Sequence, residues 1–256
     1  MTRFLRNLAG LLGFFLIWEG AVRAGLVDKL FLPPPSIVLA RTVELLGQPS
    51  FVRDVVATVL AWAIALLISI GIAVPAGLLL GSIPWLRDAT RAIVEFLRPI
   101  PSVALIPLIL LLIGSGPEAK ITLAVYAAVW PILFNTIYAL GEIDPVLTET
   151  AKSYGTSKTR MLTSVALPHA APFVFTGIRL SASIALILVV STEFLAGASR
   201  GIGEFILEAS GSSSRMDYVL AGTVVAGIIG YLINEGLERA GGRLFRWSTV
   251  DAETTT

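Results

Sequence analysis

A chain that makes or breaks covalent bonds needs a nucleophile, a base or a metal set, and few such residues are present here. The 256 residues include no cysteine and a single histidine, which removes disulfides, thiolate metal sites and thiol nucleophiles and leaves the redox compartment unread. No apolar stretch contains two aspartates, so an intramembrane aspartate dyad is absent as well. One stretch, Gly155 to Thr159 (GTSKT), hints at phosphate binding. A phosphate loop needs G-x-x-x-x-G-K-[ST] so that backbone N–H groups cradle the phosphates. Here Ser157 precedes Lys158 and Lys152 stands where the first glycine belongs, so the cradle is lost. Any nucleotide must therefore bind a partner.

What remains is a polar, basic stretch from Glu149 to Pro168, ETAKSYGTSKTRMLTSVALP, set between apolar runs at 121–140 and 173–197. A membrane chain that spends twenty residues this way is building something on the water side. Asp144 is the natural N-cap of a helix here, and Pro145 suits its first turn. Leu147, Ala151 and Tyr154 recur at helical spacing and make a small apolar edge beside Glu149 and Lys152. Gly155 ends the helix, because glycine takes the left-handed C-terminal conformation without a side-chain penalty. Ser157 or Thr156 can cap a second turn, and Pro168 starts or bends the next apolar segment. The expected product is a short helix, a tight turn and a second short helix in water.

The remaining chemistry-bearing residues lie inside apolar runs. Glu193, in STEFLAG, is costly in lipid and must face a cavity, pair, or reach the interface. It either lines a gate near the outer mouth or is an interfacial residue satisfied by Ser191, Thr192 or a neighbouring helix. Asn135 and Thr136 either line a pathway or join helices by hydrogen bonds, and Ser181 and Ser183 carry the same two readings. His169 has no series of acidic partners and reads as a loop histidine at the interface, not a proton relay. Glu19–Arg23 and Glu95–Arg98 are spaced to pair on helix faces. Arg179 sits near the cytosolic end of its span and can snorkel.

The elements that must position these residues are apolar. Hydrophobic residues make up 55% of the chain and charged ones 14%, against roughly 25% charged in soluble domains. A net charge of +1 gives no reason to expect nucleic acid. A span needs about 20 mostly apolar residues, and six segments qualify: 8–27, 55–83, 100–114, 121–140, 173–197 and 218–237. The first reads as a retained span and not a cleaved signal. The second is long enough to tilt or protrude. The third, short and rich in proline, bends or borrows length from 91–98. With the N-terminus inside, inner segments hold twelve Lys and Arg against seven outside, which places both termini and the 149–168 loop in the cytoplasm. Outside, Pro33-Pro34-Pro35 cannot continue a helix. Ser36 can cap one over 36–46, with Ile37, Ala40, Val43 and Leu46 on a face lying in the membrane interface. IGEFILEAS, within 198–217, reads as a small amphipathic helix dipping towards the membrane. Gly77 and Gly81, and Gly222, Ala226 and Gly230, give small-residue faces for close helix contact. Pro75, Pro107 and Pro131 should kink their spans. The organisation expected is an N-terminal span with an outer interfacial segment (1–50), a transmembrane domain (51–247) carrying the cytoplasmic loop 142–170, and a polar tail (248–256).

The spacing E-T-A, three residues, Gly155, nine residues, V-A-L-P resembles the EAA loop of ABC importer permeases, E-A-A-x3-G-x9-I-x-L-P, departing at Thr150 and Val165. The runs RPIPSVALIPL at 98–108, WPILFNT at 130–136, RLFRW at 243–247 and FLPPPSIVLA at 31–40 resemble the sulfonate, taurine and nitrate branch of that family. The resemblance implies an all-helical membrane fold of about six spans, in the bacterial cytoplasmic membrane, forming a homodimer with the pathway between copies. It implies that Glu149, Thr150, Ala151, Lys152, Tyr154 and Gly155 couple to an ATPase through a docking helix and its turn, with Leu167 and Pro168 returning the chain to the membrane. Two cytosolic ATP-binding subunits would carry ATP and Mg, leaving no cofactor on this chain, and an extracytoplasmic binding protein would deliver a small solute, favoured as an anion. The competing functions are an ion-coupled transporter working alone, which should show two related halves with charged or unwound midplane segments, and an intramembrane enzyme, for which the nucleophiles are missing.

Overall fold

The computed structural model describes residues 2–97, 99–143, 145–197, 200–211 and 215–245. Eleven α-helices and no strand occur among them: α1 (Thr2–Arg23), α2 (Pro35–Leu46), α3 (Pro49–Ser82), α4 (Pro84–Leu97), α5 (Ile106–Ile113), α6 (Pro117–Gly141), α7 (Pro145–Ser153), α8 (Lys158–Met161), α9 (Leu167–Ala196), α10 (Ile202–Ser210) and α11 (Met216–Leu244). A single 3₁₀ turn, Ser102–Leu105, precedes α5, and a wider π turn, Leu162–Ala166, leads into α9.

Among the described residues four helices are long and apolar enough to cross a membrane: α3, α6, α9 with its preceding turn, and α11. α4 and the Ser102–Ile113 segment are long and apolar enough only when taken together, bent by 76° at the break between them. The third expected span is thus bent, as its prolines imply. The expected first span does form a helix, α1, of 22 residues, about 33 Å long, with Arg6 and Glu19 bounding its apolar middle. By contrast α3, at 34 residues, is about 51 Å long and overshoots a core of about 30 Å.

The bundle centre is where α3, α6 and α9 meet, and small side chains make that meeting close. Ala61 and Ala65, Ala124, Ala127 and Ala128, and Ala185 cluster with Leu188 and Val189. With lipid tails as apolar as leucine, close packing and hydrogen bonds hold such helices together. A Cβ at Gly77 would lie 2.5 Å from the Thr136 Cβ, and one at Gly81 would meet Leu140 at 2.6 Å. Gly222 faces Ile206 and Phe205 of α10, and Gly230 faces Leu186 of α9. These small faces therefore pack helices within one chain. Trp62 Nε1 donates to the Ala182 carbonyl at 2.8 Å, and Ser181 Oγ to the Ala128 carbonyl at 2.5 Å. Pro75 and Pro131 lie inside continuous helices, while Pro107 sits in the first turn of α5.

Several surface expectations change. Ser36 is not a cap: α2 begins one residue earlier, at Pro35, and Ser36 gives its N–H and hydroxyl to Glu19 at 3.0 and 2.8 Å. Glu19 also pairs with Arg23 at 2.6 Å, as its spacing predicts. On α2 the buried residues are Pro35, Val38, Thr42 and Leu45, so the Ile37, Ala40, Val43, Leu46 face turns outward. The Glu95–Arg98 pair falls on Arg98, which lies outside the described residues; Glu95 pairs with Arg91, one turn before it, at 2.8 Å. Arg179 does not simply reach for water. It crosses to α11, bonding Asn234 at 3.0 Å and Glu238 at 2.6 Å. Arg41 joins α2 to α11 through Asp217 at 2.7 Å while bonding Glu44 at 2.5 Å. That guanidinium holds the Glu44 carboxyl below the usual carboxylate range, with Tyr218 adding a hydrogen bond.

Candidate functional site

The water-facing loop is a helix that ends as its residues dictate. α7 runs from Pro145 to Ser153; the expected cap, Asp144, lies outside the described residues. Beyond Ser153 the chain turns through Gly155 at φ +70°. The Gly155 N–H bonds the Lys152 carbonyl at 2.8 Å, and the Thr156 N–H bonds the Ala151 carbonyl at 3.1 Å. This pair of bonds is the Schellman closure, and it needs a left-handed residue at the glycine position. A Cβ on Gly155 would meet nothing within 4 Å, so the constraint is the backbone angle alone. The next turn is capped by Ser157, whose Oγ accepts the Arg160 N–H at 3.3 Å. Leu167 and Pro168 form the first turn of α9. His169 follows on that helix, near Phe173, its Nε2 buried without a hydrogen-bond partner.

Among its described residues the loop is largely exposed. Glu149, Thr150, Lys152, Tyr154 and Gly155 are exposed and Ala151 is half-buried. Tyr154 is 85% exposed, Val146 65% and Leu147 51%. α7 has no substantial packing against any other helix. A capped helix with an apolar edge and a charged flank, held off its own bundle, has the make-up of a docking element.

The other singled-out residues are dispersed. Asn135 Nδ2 donates to the Pro131 carbonyl at 2.8 Å. Thr136 is buried against Gly77 and donates to the Ile132 carbonyl at 2.7 Å. Thr192 is buried and bonds the Leu188 carbonyl at 2.7 Å. Ser191 is half-buried and lines, with Ser183 and Thr223, a groove of about 460 Å³ between α9 and α11.

Glu193 sits apart from all of these. It is 0% exposed and pairs with Lys120 of α6, itself 2% exposed, at 2.7 Å. Thr58 of α3 donates its hydroxyl to the same carboxylate at 2.9 Å, and the Gly203 N–H bonds it at 3.1 Å. Lys120 and Thr58 escaped the sequence reading. A signal existed: Lys120 at the start of one span and Glu193 near the end of the next share a membrane depth with opposite charge.

With this geometry in hand, likeness to known proteins is informative. The chain is 30% identical, over 90% of its length and 85% of the relative's, to the taurine transport system permease protein TauC of Escherichia coli (strain K12). It is 29% identical to the bicarbonate transport system permease protein CmpB of Synechocystis sp. (strain ATCC 27184 / PCC 6803 / Kazusa), over 89% of this chain and 84% of that one. Its fold matches a chain of the MetNI methionine ABC transporter in an inward-facing conformation, with a TM-score of 0.65, 23% identity, and coverage of 74% of this chain and 94% of that one. Residues 73–234, which contain the whole exposed loop and all of α6 and α9, match the binding-protein-dependent transport system inner membrane component family, and the chain belongs to that family.

Proposed function

We propose that this chain is the membrane-spanning half of an ATP-driven importer for a small anion, working as a homodimer with its termini and α7 in the cytoplasm. Two ATP-binding subunits grip α7, with ATP and Mg held entirely on them, and an extracytoplasmic binding protein delivers the solute. The observation that carries this reading is the exposed, Schellman-closed α7, at the E-T-A-x3-G spacing, standing clear of its own bundle. Each permease has two packings; ATP binding favours one and release the other, a population shift that requires differential contacts at the docking helix. The anion class rests on the relatives named for taurine and bicarbonate transport. The lysine and arginine excess on the inner segments supports the orientation.

The test is to make Gly155→Val and Glu149→Lys in the full permease, co-expressed with its ATPase and binding protein. Capture of the ATPase and ATP-driven uptake of labelled taurine and bicarbonate are then measured. The reading expects both variants to insert normally while capture and uptake fall at least tenfold. Normal capture and uptake by both variants would sink it.

A further inference from the structure

The outer corner of the molecule is built around one carboxylate. Glu193 ends α9, and the chain turns back so that α10 begins directly over it. Every polar group in the contact is used. The carboxylate accepts from Lys120 Nζ, from the Thr58 hydroxyl and from the Gly203 N–H. The Thr58 oxygen in turn accepts the Ile202 N–H at 3.0 Å. Lys120 gives a second hydrogen bond, at 2.8 Å, to the Arg200 carbonyl. Two of the backbone N–H groups that any helix leaves open at its first turn are therefore satisfied by side chains of α9 and α3. The negative carboxylate also sits where the helix dipole of α10 favours it. Contact this close excludes side chains: a Cβ at Gly201 would fall 2.0 Å from Glu193 Cδ, and one at Gly203 would lie 2.2 Å from the Val190 carbonyl oxygen. Beyond the ion pair, α10 is seated by apolar packing, with Ile202 fully buried and the Phe51 and Phe205 rings 4.7 Å apart.

A gate residue must meet water or solute in at least one state. This cluster has no group left for either, and parting it would strand two charges and two helix N–H groups in a dry interior. Breaking a buried pair is far more costly than never having built it. We propose that Lys120, Glu193 and Thr58 are positioning residues that keep α10 docked on α3, α9 and α11 through the whole transport cycle. The outer opening for solute then forms between two copies of the chain and never between α10 and its own bundle. The functional consequence rests on the permease reading above, whereas the docking itself does not.

The chain has no native cysteine, so single introduced thiols report cleanly. Ala209 lies on α10 at 1% exposure, and its neighbour Ser210 is exposed. Ala209→Cys and, as a control, Ser210→Cys are placed in the complete transporter in membrane vesicles. Both are labelled from outside with a membrane-impermeant maleimide, without nucleotide, with ATP, and after trapping with vanadate. The expected result is rapid labelling of Ser210→Cys throughout, and labelling of Ala209→Cys that stays slow and changes less than twofold among states. Adding Thr58→Val, isosteric but without the hydroxyl, should raise the Ala209→Cys rate at least tenfold, and Thr58→Ser should restore protection. Lys120→Met should act at least as strongly; should it fail to insert, the Thr58 pair still decides. Nucleotide-dependent exposure of Ala209→Cys overturns the proposal, and so does unchanged protection in Thr58→Val. Failure of the parent complex to take up labelled taurine or bicarbonate would instead count against the permease reading, because the labelling needs no transport.

Discussion

The two ends of this molecule use the same devices to opposite purposes. On one side α7 is closed by a glycine at φ +70° and leaves Tyr154 and Leu147 exposed, with no substantial helix packing of α7 among the described residues. On the other, α10 has about the same length, nine residues in each case, but begins on glycines that admit a buried carboxylate. One short helix is capped by its own backbone and needs nothing from the bundle. The other takes its N-terminal partners from α3 and α9. An element built to meet a second protein has to be complete in itself, whereas an element built to seal the bundle can borrow. Backbone closure and side-chain closure thus separate a docking surface from a structural corner.

The contrast is broken most sharply by valine at one glycine of each region. Gly203→Val would drive a Cβ onto the Val190 carbonyl oxygen, a backbone atom that cannot give way. The yield of monodisperse, detergent-extracted protein, read by size exclusion, should fall at least tenfold. Gly155→Val meets no neighbour and bears only the left-handed backbone cost of about 1–2 kcal/mol on an exposed turn. Its folded yield should match the parent's even where coupling fails. Equal losses for both would mean that the exposed helix is after all part of the bundle.

A smaller effect belongs to the link between the spans. Arg179→Met removes the bonds to Asn234 and Glu238, but the guanidinium is 39% exposed and the Glu238 carboxylate 57%. Such pairs are worth about 0.2–1 kcal/mol, so Tm should drop slightly, and less than for Thr58→Val. The smallest effect concerns the outer pairing of Arg41 with Glu44. Because Glu44 is held below its ordinary range, its contribution is present above the unfolded carboxylate pKa and lost only as pH falls through the lower folded value. The Tm difference between the parent and Glu44→Gln, followed downward from neutral pH, should stay flat until below the usual glutamate range of about 4. A fall already beginning near pH 6 would show that Arg41 does not hold the carboxylate.

Local features were legible because local geometry decides them. Gly155, Ser157 and the Glu19–Arg23 pair lie within one or two turns of their partners, and spacing alone predicts them. The IGEFILEAS helix was visible in its periodicity, and the bent third span in its prolines. Features that depend on a distant neighbour were not. Ser36 had the composition of a cap, yet Glu19, seventeen residues back, claims its N–H and hydroxyl. Arg179 had a plausible route to water until α11 offered Glu238.

The sequence by itself determined the class of molecule: composition demanded a membrane bundle, and a fixed twenty-residue spacing marked the loop that reaches out of it. Only the tertiary structure decided what Glu193 touches. A carboxylate inside a span must be satisfied somehow, and periodicity says on which face of its helix it lies. Which of Lys120, Thr58 and the α10 N-terminus reaches it depends on how α3, α6 and α9 cross, and that is set by the alanines and glycines through which they approach. Close packing acts between segments far apart in the chain, so no local reading contains it.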